Sequence, residues 1–316
     1  MAVVFAMSIG RRGAADAERP RSGMTVPGCA RARLGFAPPA ALLSFRAMTL
    51  EFVKMNGSGN DFILIDNRAG KIALTTQQIV RLCDRQRGVG ADGLFLLVPN
   101  TSGKADWSWD FYNRDGSVAD MCGNGARCFA RFVQSVAGAS EQTSFETGAG
   151  VIVARFHGER VTVNLTTPHS LRLNDTVAAG GAKLTFHSLN TGVPHAVLFV
   201  PDADRAMVQQ LGAEIRYHER FKPGGTNANF AQVLGPNHIR VRTYERGVEG
   251  ETLACGTGVT AAALISSRVH KFTAPVQVQV QGGDTLEVAW TEAADGFADV
   301  TLNGPADFVF QGRVEV

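Results

Sequence analysis

YNRDGSVADMCGNG (residues 112–125) and YERGVEGETLACGTG (residues 244–258) are two forms of one pattern. Each has Tyr, a polar residue, Arg and a loop, then Cys-Gly-x-Gly, and each runs on into an apolar segment, residues 126–133 and 259–265. A weaker echo joins GSGN (57–60) to GGTN (224–227). The period is far too long for a solenoid, so the repeat implies an ancient duplication, with two related domains facing each other across a cleft. The segments after the cysteines read as helices. The second is apolar on nearly every side, which places it at a domain centre, wrapped by strands.

Short apolar runs of buried-strand length stand around these helices, at residues 61–66 and 93–98. Between them the spacing predicts a helix over 75–83, capped by Thr75, with Ile79, Leu82 and Cys83 on one face. Hairpin turns are predicted at Gly235-Pro-Asn237 and at Gly282-Gly-Asp284, the second after the alternating stretch 276–280. Strands dominate, and few pairs of them are separated by a helix-length crossover. The fold class expected is α+β, mostly antiparallel.

A chain of 316 residues, 45% hydrophobic and 19% charged, suits a globular protein with a sizeable core. No apolar run is long enough to span a bilayer. Net charge is +2, and residues 1–47 hold seven Arg against Asp16 and Glu18, so the remainder is slightly acidic. That balance argues against nucleic acid as a partner. Residues 1–47 carry no sustained periodicity, and a new texture opens at Met48. A disordered or wrongly assigned start and an Arg-rich transit peptide both account for the segment, whereas a secretory signal does not fit. Five cysteines without a C-x-x-C pair form neither a disulfide framework nor a zinc site. A reducing compartment, the cytoplasm, is expected, with a plastid as the alternative.

Cys122 and Cys255 fall just before, or at, the first turn of a helix. There, unpaired N–H groups and the positive dipole end are expected to lower a thiol pKa and to seat a carboxylate. A substrate whose α-carboxylate rests on both helix ends has its α-carbon between two sulfurs. One thiolate removes the α-proton while the opposite thiol delivers one to the other face, with charge gathered on the clamped carboxylate. Such two-base inversion needs neither metal nor organic cofactor. Cys83 and Cys128 read as small buried hydrophobes, and Arg127 and Arg131 as helix-surface or interdomain residues.

With KMNGSGNDF (54–62), RGVGADGL (87–94), MCGNGARCF (121–129), NTGVPHAV (190–197) and YERG (244–247) leading to ACGTG (254–258), residues 48–316 resemble the diaminopimelate epimerase family. The resemblance implies two domains, 48–167 with 305–316 and 168–304, each of mostly antiparallel strands around a central helix. It implies epimerisation of LL-diaminopimelate to the meso form, in lysine and peptidoglycan precursor synthesis, by a homodimer. Catalysis is then assigned to Cys122 and Cys255, and substrate contacts to Asn60, Asn113 and Asn227. Glu245 and Arg246 would read the distal amino-carboxylate end. Gly123, Asn124, Gly256 and Thr257 would supply helix-end donors, and His195 and Glu245 would tune thiol protonation. Val193 stands where many members have Asn, with Asn190, Thr191 or a water as replacements. Asn56 replaces a frequent His, and Gly250 lengthens the loop before Cys255. Three alternatives stay open: a proline or hydroxyproline racemase of the same fold, a thiol hydrolase using Cys122 and His195, and a non-enzymatic binding module.

Overall fold

A computed structural model describes residues 48–294 and 296–316. The extension expected over 1–47, Cys29 included, lies outside the described residues. The first half runs β1 (Thr49–Gly57), β2 (Asn60–Asp66), α1 (Thr76–Cys83), β3 (Gly93–Pro99), β4 (Trp107–Asn113), α2 (Gly123–Ala137), β5 (Gln142–Thr147), β6 (Gly150–His157) and β7 (Arg160–Asn164). The second begins with β8 (His169–Ala179) and continues with β9 (Ala182–Asn190), β10 (Pro194–Phe199), α3 (Val208–Arg216), β11 (Asn227–Gly235), β12 (His238–Glu245) and β13 (Gly250–Thr252). It finishes with α4 (Gly256–His270), β14 (Val276–Val280), β15 (Thr285–Ala293), β16 (Gly296–Pro305) and β17 (Asp307–Glu315).

Strand pairing repeats between the halves. β1 through β7 pair in sequence order. β9, β10, β11, β12, β14, β15 and β16 repeat the same succession of parallel and antiparallel neighbours. β7 and β16 pair antiparallel and join the two sets. β8 covers the outer edge of β9 and β17 that of β1, so the last strand returns to the first half. Most pairs are antiparallel, as expected for the fold class. The parallel ones, β2–β3, β4–β5, β10–β11 and β12–β14, are those bridged by α1, α2, α3 and α4. Sequence reading noticed only the first of these crossovers and missed α3 and the β8–β9 hairpin.

Burial explains the layering. In β2 and β3, Phe62, Leu64, Phe95 and Leu97 point inward to the core around α2, while Ile63, Ile65, Leu94 and Leu96 point outward under α1. Both faces are covered, so the strands read as unbroken apolar runs. Thr75 caps α1 in a full capping box with Gln78, and Ile79, Leu82 and Cys83 form its buried face. α3 repeats this outer layer over Ala196, Leu198, Ala228 and Phe230. α4 is buried over Val259–Ser267, which its all-round apolar sequence requires.

Phe95 is fully buried, stacked on Phe111 at 4.1 Å and in edge contact with Phe62 at 5.3 Å. Because its neighbours are rings held by opposite strands, the space left by truncation cannot close. Phe95→Ala is expected to lower stability by about 3–5 kcal/mol, measured by urea denaturation against the parent chain.

Candidate active site

Cys122 and Cys255 occupy the N-cap positions of α2 and α4, each with an extended backbone. The helix beginnings meet: a Cβ placed on Gly256 would lie 3.7 Å from the Cα of Gly123 and 3.1 Å from the Leu302 side chain. Leu302, on β16 opposite Val163 of β7, therefore floors both helix ends. A Cβ at Gly256 would crowd Leu302, whereas one at Gly123 would meet it at 3.4 Å, an ordinary contact. The Cys122 sulfur accepts from the Gly125 N–H at 3.4 Å, and the Cys255 sulfur lies 3.5 Å from the Thr257 hydroxyl. Among the described residues, the backbone N–H groups of Gly123, Asn124, Gly256 and Thr257 have no backbone acceptor. Two positive helix ends thus meet at Gly123 and Gly256.

A buried cation reinforces this polarity. Arg127, one turn into α2 and fully buried, donates to Gly123 O, Asn124 Oδ1, Ser58 Oγ and Pro305 O. All four acceptors are neutral. Burial lowers its pKa to about 10, which leaves it charged at neutral pH. Arg246, near the end of β12, binds Gly224 O at 3.2 Å and pairs with no carboxylate among the described residues. Beside it Glu245 accepts from the Thr252 hydroxyl at 2.8 Å, and burial pushes its carboxyl up. Among the described residues no three His, Cys, Asp or Glu side chains gather as a metal site would need.

The sequence model of the diaminopimelate epimerase family matches residues 52–171 and 187–309. The chain belongs to the diaminopimelate epimerase family. A protein named diaminopimelate epimerase from Aquifex aeolicus is 43% identical over 278 residues, 84% of this chain and 98% of that protein. Proteins of the same name from Chlorobaculum tepidum and Archaeoglobus fulgidus are 41% and 42% identical, over 82% and 84% of this chain and 99% and 96% of theirs. Among solved structures, a Bacillus anthracis phenazine biosynthesis protein of the PhzF family aligns with a TM-score of 0.65 at 15% identity. It covers 85% of this chain and all of that one. A hydroxyproline epimerase from Agrobacterium vitis aligns at 0.64 and 16% identity, over 86% of this chain and 93% of that one. These two share the fold.

Within this member of the diaminopimelate epimerase family, the expected asparagines hold the frame. Asn124 donates to Asn60 Oδ1 at 2.8 Å and to Ala254 O at 3.3 Å, tying α2 to the β1–β2 turn and to the residue before Cys255. Asn60 donates in turn to Asp92, which Arg85 also binds. Asp61, beside them, would be raised by burial, but hydrogen bonds from Arg85 and Lys54 outweigh it and bring its pKa to about 2. Asn227 donates to Pro194 O and accepts from the Arg246 N–H, fixing the loops at both of its ends. Asn113 is exposed at the end of β4 and bonded to Ser117.

Two expectations are corrected. Both catalytic candidates have thiol pKa values pushed up: burial dominates at Cys122 and Cys255, the Glu245 charge adds to it, and the helix-end N–H groups only partly offset it. Arg127 lies on no helix surface, since it is buried between α2, Ser58 and the end of β16. Of the side chains offered in place of the Asn missing at 193, Asn190 accepts from the Gly192 N–H, and the Thr191 hydroxyl donates to Thr257 O. Asn56 accepts from the Gly59 N–H, so it serves the β1–β2 turn. Cys83 and Cys128 are buried, with pKa values pushed up by burial, to about 12 at Cys83.

His195, on β10, is buried, and burial lowers its pKa from 6.5 to about 3. The unfolded chain takes up this proton near 6.5 and the folded chain refuses it until about 3. Its contribution to stability is therefore complete above 6.5 and lost as pH falls toward 3. His195→Gln is expected to flatten the acid limb of the stability–pH curve, followed by urea midpoints through that range.

Proposed function

We propose that the chain is an isomerase converting LL-diaminopimelate to meso-diaminopimelate, with Cys122 and Cys255 as the two proton-transferring groups and no cofactor. One observation carries this reading: two helix ends with Cys at the N-cap meet at Gly123 and Gly256, with first-turn N–H groups that have no backbone acceptor among the described residues. A carboxylate seated there relieves the opposition of two positive poles and accepts the charge that develops as the α-proton leaves. Two-base inversion then requires the two sulfurs, one at the start of each helix, to act from opposite sides of that carboxylate's α-carbon.

Raised thiol pKa values set the order of events. Both sulfurs rest as thiols, so a proton must leave one of them before it acts as base. An incoming carboxylate also excludes water, which favours the transfer only if charge is conserved within the cleft. Glu245, held up by burial and placed against Cys255, is the carboxylate able to share a proton with that thiol. Arg246, with no carboxylate partner among the described residues, suits the distal carboxylate of a diamino diacid, whereas a cyclic imino acid has no group for it. The reading includes reducing, cytoplasmic surroundings. It also includes a homodimer formed through Phe308, Val309 and Phe310, which β17 leaves exposed. Phe310→Asp is expected to halve the mass measured by light scattering.

The deciding experiment incubates the chain with LL-diaminopimelate in D₂O without cofactor and follows the α-position by NMR. Deuterium is expected at the inverted carbon of the meso product, with turnover falling by at least about 10³-fold in Cys122→Ala and in Cys255→Ala. A folded, reduced chain giving no exchange overturns the substrate, and exchange with proline under the same conditions supports the cyclic imino acid instead.

A further inference from the structure

His195 carries the one ring nitrogen left without a partner in this core: Nε2 is buried and makes no hydrogen bond among the described residues. Its other nitrogen, Nδ1, is 3.2 Å from the Asn229 Nδ2. Which of the two nitrogens holds the proton depends on which way the Asn229 amide faces. Three contacts bear on this. Asn229 Nδ2 lies 2.9 Å from Ala196 O, and Asn229 Oδ1 lies 2.9 Å from the Thr243 hydroxyl. A main-chain carbonyl only accepts, so the amide must turn its NH₂ toward Ala196, and the same NH₂ then presents its second hydrogen to His195 Nδ1. The reverse orientation would set two carbonyl oxygens against each other at that distance. Thr243 accommodates the choice because its hydroxyl can donate to Oδ1.

We infer that Asn229, oriented by Ala196 O and Thr243, is a positioning residue that locks His195 as the Nε2–H tautomer, making the ring a fixed hydrogen-bond donor at its buried Nε2 and never a proton acceptor there. Nδ1 is occupied as an acceptor, so moving the proton to it would set N–H against N–H. Nε2 therefore keeps its hydrogen and offers it to an anion, a thiolate or the substrate carboxylate. The packing is specific to this arrangement. A Cβ on Gly258 would come 2.3 Å from Asn229 Oδ1, so the glycine ending Cys-Gly-Thr-Gly leaves room for the amide beneath the first turn of α4. Asn229, Ala231 and Asn227 share one face of β11, and Asn229 is fully buried there. Proton exchange with a thiol then falls to Glu245, while His195 holds charge in place.

The use of that donor rests on the epimerase reading; the tautomer does not. The test labels the full chain with ¹⁵N-histidine and reads the ring nitrogens by long-range ¹H–¹⁵N correlation at neutral pH, with His195 assigned from the spectrum of His195→Gln. Nε2 protonated and Nδ1 bare is the expected result, and a protonated Nδ1 in the parent chain overturns the proposal without any variant. Asn229→Asp puts an acceptor at Nδ1 and is expected to draw the proton there, lowering kcat by about 10²-fold with a smaller change in KM. Retention of the parent tautomer in that variant, or a switched tautomer with unchanged kcat, also overturns it. If Asn229→Asp does not fold, the parent spectrum decides. A chain showing the Nε2–H ring but no α-proton exchange fails the epimerase reading and leaves this assignment standing.

Discussion

Two helix beginnings pointed at each other are an unfavourable arrangement, since each brings partial positive charge and unpaired N–H groups to the same spot. Here the arrangement is held by the strand seam beneath it, with Leu302 under both ends and glycine at each point of closest approach. Arg127 adds a full charge with only neutral acceptors around it. The rest of the architecture keeps these poles from drifting apart. Asn124 spans from one helix to the turn before the other, and Thr191 reaches Thr257 from the β9–β10 loop. Such an arrangement suits an anion, and two thiols stand at the helix starts beside it.

The same crowding explains why the thiols are poor acids at rest. Burial costs a thiolate its hydration, and a few amide hydrogens do not replace it. The Glu245 charge adds to burial at both sulfurs, and the Gly125 N–H at Cys122 and the Thr257 hydroxyl at Cys255 only partly offset it.

Much of this was legible in the sequence because the backbone demanded particular residues in particular places. Cys-Gly-x-Gly had to appear twice if two capped helices were to meet, and an all-apolar 259–265 had to be a central helix. What escaped had partners distant in the chain. Asn124 reads as a helix-end donor until Asn60 and Ala254 are seen on either side of it, and Arg127 reads as a surface residue until Ser58 and Pro305 close over it. Thiol acidity was misjudged because a dipole is visible from local sequence and depth of burial is not. Asn229 left a faint signal, a second asparagine on the inward face of a strand whose other inward residue there is Ala231, but its meaning depends on a carbonyl in β10. α3 was missed because Val208, Leu211, Gly212 and Ile215 make a thin apolar stripe.

The edge of β1 is covered by β17, a strand that comes after the entire second half in the chain. On the ribosome, the strand that opens the described fold therefore finds its outer neighbour only after the second half has been made. β1 must wait with an open edge while the second half is translated, and its own sheet closes only when residues 307–315 emerge. Until then the outer edge of β1 presents unpaired N–H and C=O groups, a template on which another chain could pair. The two halves are therefore not finished one after the other: the first is closed only once the second has been made.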